Sequence, residues 1–563
     1  MSYEQPLELT DTQPPQQIVP EAVDWQGEYD VVVVGYGGAG ICAAIEAVDA
    51  GASVLALDRF QGGGATAASG GVVYAGGGTQ YQQDAGFEDS ADNMFAYLKQ
   101  ETGDAVSDET LRRFCQQSCD NLRWLEANRV GFAGNVPPIK TSYPTNQYYL
   151  YYSGNEAVGG YKDKATPAPR GHRVKGAGMS GQALFRALRA SAAAKGVKLQ
   201  TQTEVQCLLT DAHDRVIGVE VRTLPAGWIS LQHKWLSALI GKLHLYSPRR
   251  AFKLRAKLVA LERQHGQIQR ICARNGVVLS AGGFAFNRKM VERYNDKYRK
   301  GLPLGTTGCN GSGIGLGHSV GGALARMDKF SAWRFINPPL AWAQGMVVNG
   351  AGERYCNEEV YGAKLGHEMC EHNDGRAYLV INHAQRAEAL KQCVPGKAQS
   401  FQILPALMNL FLNAKKADSI EGLAKRMKLP EAALRAELDS YNAAARGECV
   451  DRFGKSPAFL KPMAQGPYYG INVSFDSPTF PCPMISLGGL KVCEHSGQVL
   501  DQEERIIPGL YAAGRNAVGV ASNLYVSGIS IADCVFSGRR AGAHVAAQRR
   551  GETAKPCAES SAA

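Results

Sequence analysis

The residues richest in chemical information are Tyr525-Val526-Ser527-Gly528, which follow closely on Gly509-Leu510-Tyr511-Ala512-Ala513-Gly514-Arg515. The earlier run has the pattern of a strand ending in a glycine turn. The later one sets a phenol and an alcohol at i and i+2. Successive side chains of an extended segment point to opposite faces, so Tyr525 and Ser527 are expected to share one. Beside a redox cofactor, such a pair suits chemistry at a carbon next to a ketone. Two conditions follow: the chain must build a cofactor site, and that site must not be designed for carboxylates.

The elements that would hold a cofactor begin at Asp30-Val31-Val32-Val33-Val34, a β-branched run that predicts a buried parallel strand. Gly35-Tyr36-Gly37-Gly38-Ala39-Gly40 comes next, then a helical pattern over 41–50, then a second strand, Ser53-Val54-Leu55-Ala56-Leu57, closed by Asp58. This is a βαβ unit with GxGxxG at its first turn. Gly35 permits the tight turn, Gly37 lets backbone approach a pyrophosphate at the helix N-terminus, and Gly40 allows close helix–strand packing. Asp58 can bond ribose hydroxyls. The alternative is a glycine-rich turn in some other α/β protein. A second glycine-rich loop, Gly62-Gly63-Gly64-Ala65-Thr66-Ala67-Ala68-Ser69-Gly70-Gly71, can wrap the pyrophosphate and a flavin edge.

Bulk properties agree with a large cofactor-binding fold. At 563 residues two or three domains are expected, and 45% hydrophobic content argues against reading the 64 glycines as low-complexity disorder. The 14 cysteines include no CxxC and no metal-ligand or iron–sulfur spacing, so buried thiols in a reducing cytoplasm are expected and no metal site. Residues 1–24 lack the basic-then-apolar order of a secretory signal, and no apolar run is long enough for a membrane span. The net charge is +9, of which +7 lies between residues 225 and 263. The remainder is nearly neutral, which argues against a general nucleic-acid surface.

Taken with these loops, the sequence resembles the fumarate reductase/succinate dehydrogenase flavoprotein superfamily. The resemblance implies an α/β fold: a Rossmann-like FAD-binding domain, discontinuous in sequence over 28–287 and 466–550, with an inserted α+β cap over 288–465. Tails at 1–27 and 551–563 are expected to be flexible. Gly276-Val277-Val278-Leu279-Ser280-Ala281-Gly282-Gly283 resembles the strand returning to the FAD domain, and 509–515 its last cofactor strand. The FAD positions implied are Gly35, Gly37, Gly38, Gly40, Asp58 and Arg59, then Gly64, Ala65, Thr66, Ser69, Gly70 and Gly71. Val205, Ala281, Gly282, Gly514, Arg515, Ser530 and Ile531 complete them. Covalent members attach the flavin to a histidine in the second loop. Residues 62–71 contain none, so non-covalent FAD is expected.

Fumarate reductases clamp two carboxylates with cations and use an arginine as proton donor. Here the arginine position falls at Gly362, beside Tyr361. The family histidine before a Gly-Gly is missing from Met484-Ile485-Ser486-Leu487-Gly488-Gly489, and the C-terminal arginine clamp falls at Tyr525. A dicarboxylate would sit there with unpaired charges, at roughly several kcal/mol. The replacements resemble the Δ4 branch of the 3-ketosteroid dehydrogenases, through Glu359-Val360-Tyr361 and Tyr525-Val526-Ser527-Gly528. Gly76-Gly77-Gly78-Thr79, Tyr152-Ser153-Gly154 and Ala168-Pro169-Arg170-Gly171-His172 also match.

That resemblance implies FAD-dependent insertion of a C4–C5 double bond into a 3-ketosteroid. Tyr525 would polarise the C3 oxygen, Ser527 would take the C4 proton, Tyr361 would relay it, and flavin N5 would accept hydride from C5. His172 is expected to be structural. A Δ1-dehydrogenase or another enone oxidoreductase is the alternative within the superfamily, and a non-catalytic flavin-binding membrane adaptor the alternative outside it. The basic segment 225–263 carries Trp228, Trp235 and several aliphatics, which suits an interfacial amphipathic helix. Its alternative is a subunit contact or a packed flap. The expected partners are a steroid, a quinone or other electron acceptor, and a membrane surface, with no nucleic acid. The expected location is cytoplasmic, peripheral on the inner face of the cell membrane.

Overall fold

The computed structural model describes residues 9–548 apart from 245–246, so the tail expected at 551–563 lies outside the described residues. The run of four valines forms the end of the strand Gly27–Val34, with Val31, Val32 and Val33 fully buried. It pairs in parallel with Val54–Asp58 on one side and with Gln267–Leu279 on the other. Lys198–Thr201 extends the parallel layer beyond Val54–Asp58.

The 13-residue strand Gln267–Leu279 joins two halves of this sheet. Its first half pairs antiparallel with Val216–Thr223, which pairs in turn with Thr203–Thr210. Its second half pairs in parallel with the late strand Ile506–Ala512. The C-terminal part of the chain thus returns to the first βαβ unit and makes one cofactor layer from distant segments. Helix Ile529–Ala547 closes that layer against helix Gly38–Asp49. A Cβ at Gly538 would lie 2.5 Å from the Ala39 carbonyl oxygen, and one at Gly542 would lie 2.3 Å from that of Ala43. The two helices can approach this closely only where one lacks side chains.

The cap carries its own four-stranded sheet, in the order Met346–Val348, Tyr378–Asn382, Tyr468–Asn472, Lys415–Ala417. Tyr468–Asn472 is therefore a cap strand, beyond the boundary expected at residue 465. It is held there by pairing with Tyr378–Asn382 along its full length. The N-terminal segment also differs from the flexible tail expected over 1–27. Within its described part, Gln16–Gln17 pairs with Leu209–Thr210 on the open edge of the sheet.

Segment 225–263 is a helical hairpin, Trp228–His244 and Pro248–His265, placed between the paired strands Val216–Thr223 and Gln267–Leu279. Leu236, Ile240, Ala251 and Leu258 form a small core of its own. The sequence pattern suggested one interfacial helix. Two helices form because each buries an apolar stripe against the other.

Candidate active site

Three short strands hold the site from below: Val72–Tyr74, Gly171–Arg173 and Leu150–Tyr151. Gly528 anchors the Tyr525–Ser527 segment to them. Its φ is +93°, a Cβ there would sit 2.7 Å from the Tyr74 amide nitrogen, and its carbonyl accepts that N–H at 3.1 Å. Only glycine fits. Ser527 is gripped from the other side by Ser153: its N–H donates to the Ser153 carbonyl at 3.1 Å, and the Ser153 hydroxyl donates to its own carbonyl at 3.0 Å. The segment turns at Ser527 into helix Ile529–Ala547 and does not continue as a strand. A shared face of an extended segment, as expected from the i and i+2 spacing, is therefore not what joins Tyr525 and Ser527.

They meet through the cap. Tyr361 caps the N-terminus of helix Gly362–His372, and its N–H donates to the Asn155 side-chain oxygen at 2.7 Å. Burial lifts its phenol well above the ordinary value; Tyr525 and Tyr151 add to this, and a hydrogen bond with Ser527 opposes it. Burial pushes the Tyr525 phenol up to about 12 against the pull of Arg515. Both phenols are thus O–H donors at neutral pH. Aromatic rings wall them in. Trp333 lies 4.9 Å from Tyr525 between ring centroids, and Phe335 stands edge-on to Tyr361 at 5.4 Å.

Sequence reasoning missed Tyr151. It is fully buried, and its hydroxyl lies 3.3 Å from Ser527 Oγ. The motif Tyr152-Ser153-Gly154 pointed to the neighbouring position. His172 takes the structural place expected of it. Its Nε2 lies 2.9 Å from the Thr79 hydroxyl and its Nδ1 3.1 Å from the Arg170 carbonyl, and burial lowers it to about 4.

Gly362 excludes the arginine of the dicarboxylate enzymes by shape. A Cβ there would lie 2.4 Å from Phe335 Cδ1. The position facing the Gly-Gly turn is Ser486, whose hydroxyl accepts the Phe284 N–H at 2.9 Å and is spent on backbone.

The glycine-rich turns form a cradle for FAD. Gly35 has φ +97° and packs on the Ala281 backbone, where a Cβ would sit at 2.7 Å. Gly40 abuts the Gly35 carbonyl. At Gly37, in contrast, an added Cβ would meet only the Gly63 carbonyl, at 3.9 Å, which leaves open space before a helix N-terminus whose N-cap residue, Gly37, offers no side chain. That terminus favours phosphate. Thr66 accepts the Gly38 N–H at 3.1 Å, Ser69 binds the Thr66 carbonyl at 2.7 Å, and Gly71 donates to Ser69 at 3.1 Å, so the second loop is locked against the first. At the other end, Arg515 Nη1 and both amide atoms of Asn516 are buried without a partner among the described residues. Such orphaned polar groups fit a site completed by a polar cofactor.

Two positions expected at the cofactor serve the fold. Asp58 accepts the N–H groups of Tyr36, Phe60 and Gly62 at 3.0, 2.8 and 3.1 Å, which ties both glycine loops together. Arg59 pairs with Glu204 at 2.7 Å and with Glu262 at 2.6 Å. Burial alone would lower its guanidinium, but these two acids carry it above the usual range. Its charge therefore fastens the helical hairpin to strand Thr203–Thr210.

Comparison with known proteins agrees with this cradle. The family model of the FAD binding domain matches residues 30–531. The chain belongs to the FAD-binding-domain family. Within this family it is 43% identical over 509 residues to the 3-oxo-5-alpha-steroid 4-dehydrogenase of Comamonas testosteroni, covering 88% of this chain and 94% of that one. It is 26% identical to the 3-oxosteroid 1-dehydrogenase of Mycobacterium tuberculosis, covering 92% of this chain and 99% of that family member. The crystal structure of the 3-ketosteroid-Δ4-(5α)-dehydrogenase of Rhodococcus jostii RHA1 with 4-androstene-3,17-dione superimposes with a TM-score of 0.80 at 30% identity. That match covers 95% of this chain and all of the other.

Proposed function

We propose that the protein is an FAD-dependent 3-ketosteroid dehydrogenase that introduces the C4–C5 double bond. The observation that carries this reading is the aromatic chain Tyr525, Trp333, Phe335 and Tyr361 beside the Tyr151–Ser527 hydroxyl pair, with Gly362 leaving no room for the proton-donating arginine. An apolar, ring-lined site with a few hydroxyls fits a steroid ketone and leaves a dicarboxylate unpaired. The names of the relatives from Comamonas testosteroni and Rhodococcus jostii support the same substrate class.

In this mechanism Tyr525 donates its O–H to the C3 oxygen as negative charge develops there, an interaction worth ~3 kcal/mol in comparable sites. Ser527 Oγ takes the C4 proton while its own proton passes to Tyr361, whose proton moves on to solvent. Tyr151 holds the Ser527 hydroxyl in the orientation this transfer needs. Bound FAD, held non-covalently, supplies the acceptor for the hydride leaving C5. A quinone or another acceptor would be needed to take up the electrons. The test is anaerobic mixing with a 5α-3-ketosteroid and identification of the product. Bleaching of the flavin with a new C4–C5 double bond is expected; a C1–C2 double bond would assign the alternative Δ1 reaction.

We also propose that the helical hairpin rests on an anionic membrane surface. Trp228 and Phe252 are 77% and 71% exposed, and Leu231 and Trp235 are exposed beside them. Lys234, Lys242, Lys253, Lys257 and Arg263 are exposed on the same two helices. Near anionic lipid each cation contributes about 1 kcal/mol at best. Among the described residues no helix is long and apolar enough to cross a membrane, so attachment would be peripheral. Deleting 225–263 should weaken binding to anionic liposomes, and unchanged binding would refute the assignment.

A further inference from the structure

The cap has a second apolar surface that the hairpin does not explain. Helix Ser400–Met408 runs into a wider turn, Asn409–Asn413. Ala406 and Leu410 are buried, and Ile403 and Leu407 pack against the main core. The opposite side is apolar as well: Phe401, Leu404, Met408, Phe411 and Leu412 are all exposed, Leu404 at 58% and Leu412 at 75%. These five recur at helical spacing and form one stripe. A helix that is apolar all round needs a second apolar medium in addition to its own core.

Charge indicates which medium. No Asp or Glu occurs from 389 to 417, while Lys391, Lys397, Lys415 and Lys416 all do, and all four are exposed. The Arg386 guanidinium lies 5.3 Å from the Phe411 ring centroid. An exposed apolar stripe within a stretch of chain that carries cations and no acids matches an anionic lipid surface better than a dry protein interface, where lysine is depleted.

The stripe also lies next to the chemistry. Phe401 packs edge-on against Tyr143 at 5.8 Å. Tyr143 donates to the Gly70 carbonyl of the second glycine loop at 2.8 Å and packs in a cluster with Tyr151. Tyr151 in turn faces Ser527 Oγ. Gln399 and Gln402 tie the same helix to the backbone of Pro144 and Tyr143, at 3.0 and 3.3 Å. The helix therefore spans from the cap to the wall of the candidate site.

We propose that the 400–413 segment is a lipid-docking element of the cap, through which an apolar substrate passes from an anionic bilayer to the site. The route rests on the dehydrogenase reading; the docking does not. The test uses the full FAD-loaded chain and vesicles of phosphatidylcholine with or without phosphatidylglycerol. Leu404→Gln with Leu412→Gln, both surface positions, should cut the fraction bound to anionic vesicles by about fivefold or more. The same pair should lower binding further when Trp228→Gln and Trp235→Gln are already present in the hairpin. Lys415→Glu with Lys416→Glu should reduce the preference for anionic over neutral vesicles, the remainder coming from the hairpin. Melting temperature, FAD content and turnover of steroid in free solution should stay unchanged, while turnover of vesicle-loaded steroid falls.

Unchanged vesicle binding in the Leu404→Gln/Leu412→Gln protein would overturn the proposal. So would a wild-type dimer that this pair splits with no effect on vesicles, which would assign the stripe to a second copy. If the wild type fails to turn over steroid in free solution, the dehydrogenase reading falls, and the vesicle-binding measurement still decides the docking.

Discussion

Tyr151 and Ser527 set their hydroxyl oxygens 3.3 Å apart, although 376 positions separate them in the chain. The contact joins the small sheet below the site to the turn that enters the C-terminal helix. It gives Ser527 a fixed partner in addition to Tyr361. A serine hydroxyl is a weak base alone, so its partners determine whether it can work.

Tyr151→Phe keeps the buried ring and removes only the hydroxyl. Its kcat should fall by roughly tenfold to a hundredfold, with KM and FAD content close to wild type, because alignment of the proton transfer is lost and binding is not. Steady-state kinetics with a saturated 3-ketosteroid measure this. An unchanged kcat would make Tyr151 a packing residue.

Tyr525→Phe removes the donor to the C3 oxygen. A fall of about 10²–10³ in kcat is expected for loss of one such donor. With the phenol at about 12, the wild-type rate should show no loss from Tyr525 ionisation as the pH rises through ordinary alkaline values. A pH–rate profile with a descending limb near neutrality that disappears in Tyr525→Phe would contradict this.

Gly362 tests the exclusion of carboxylates. Gly362→Arg restores the cation of the fumarate reductases in sequence, yet its Cβ would meet Phe335 at 2.4 Å. Overpacking of this kind costs about 1–3 kcal/mol. The variant should melt lower and gain no fumarate reduction. Fumarate turnover without loss of stability would show that shape is not the barrier.

His172 gives a pH dependence of stability. Burial lowers it to about 4 in the folded chain, whereas an unfolded histidine titrates near 6.5. The unfolded chain therefore takes up a proton first as the pH falls. Stability is fully present above about 6.5 and is lost progressively towards about 4, by up to ~3 kcal/mol from this group. Denaturant titrations at steps across that window should show the slope, and His172→Gln should flatten it.

Much of this was legible in the sequence because local patterns dictated it. The run Val31 to Val34 and the glycines at 35 and 40 each have one structural use, and the folded chain puts them to it, whereas Asp58, expected at a ribose, holds the backbone of the glycine loops. Tyr525 was legible as a candidate through its replacement of an arginine, and Tyr361 and Ser527 through the segments Glu359-Val360-Tyr361 and Tyr525-Val526-Ser527-Gly528. Tyr151 was not, because it lies in Tyr148-Tyr149-Leu150-Tyr151-Tyr152, where composition cannot select which phenol turns inward. Pairing of Leu150–Tyr151 with Gly171–Arg173 makes that choice, and it is a long-range event. The role of Arg59 was hidden for the same reason: Glu262, its partner, comes from the inserted hairpin. The cap boundary was misplaced because Tyr468–Asn472 reads equally well as a strand of either domain.

The central claim is that Ser527, held between Tyr361 and Tyr151, starts desaturation of a ketone at its neighbouring carbon. Anaerobic stopped-flow mixing of wild type and Ser527→Ala with a 5α-3-ketosteroid, read at the flavin absorbance, tests it most directly. Wild type should bleach within one turnover, and Ser527→Ala should bleach at least about a hundredfold more slowly with FAD still bound. Equal bleaching rates in the two proteins, or no bleaching of wild type with any saturated 3-ketosteroid, would contradict it.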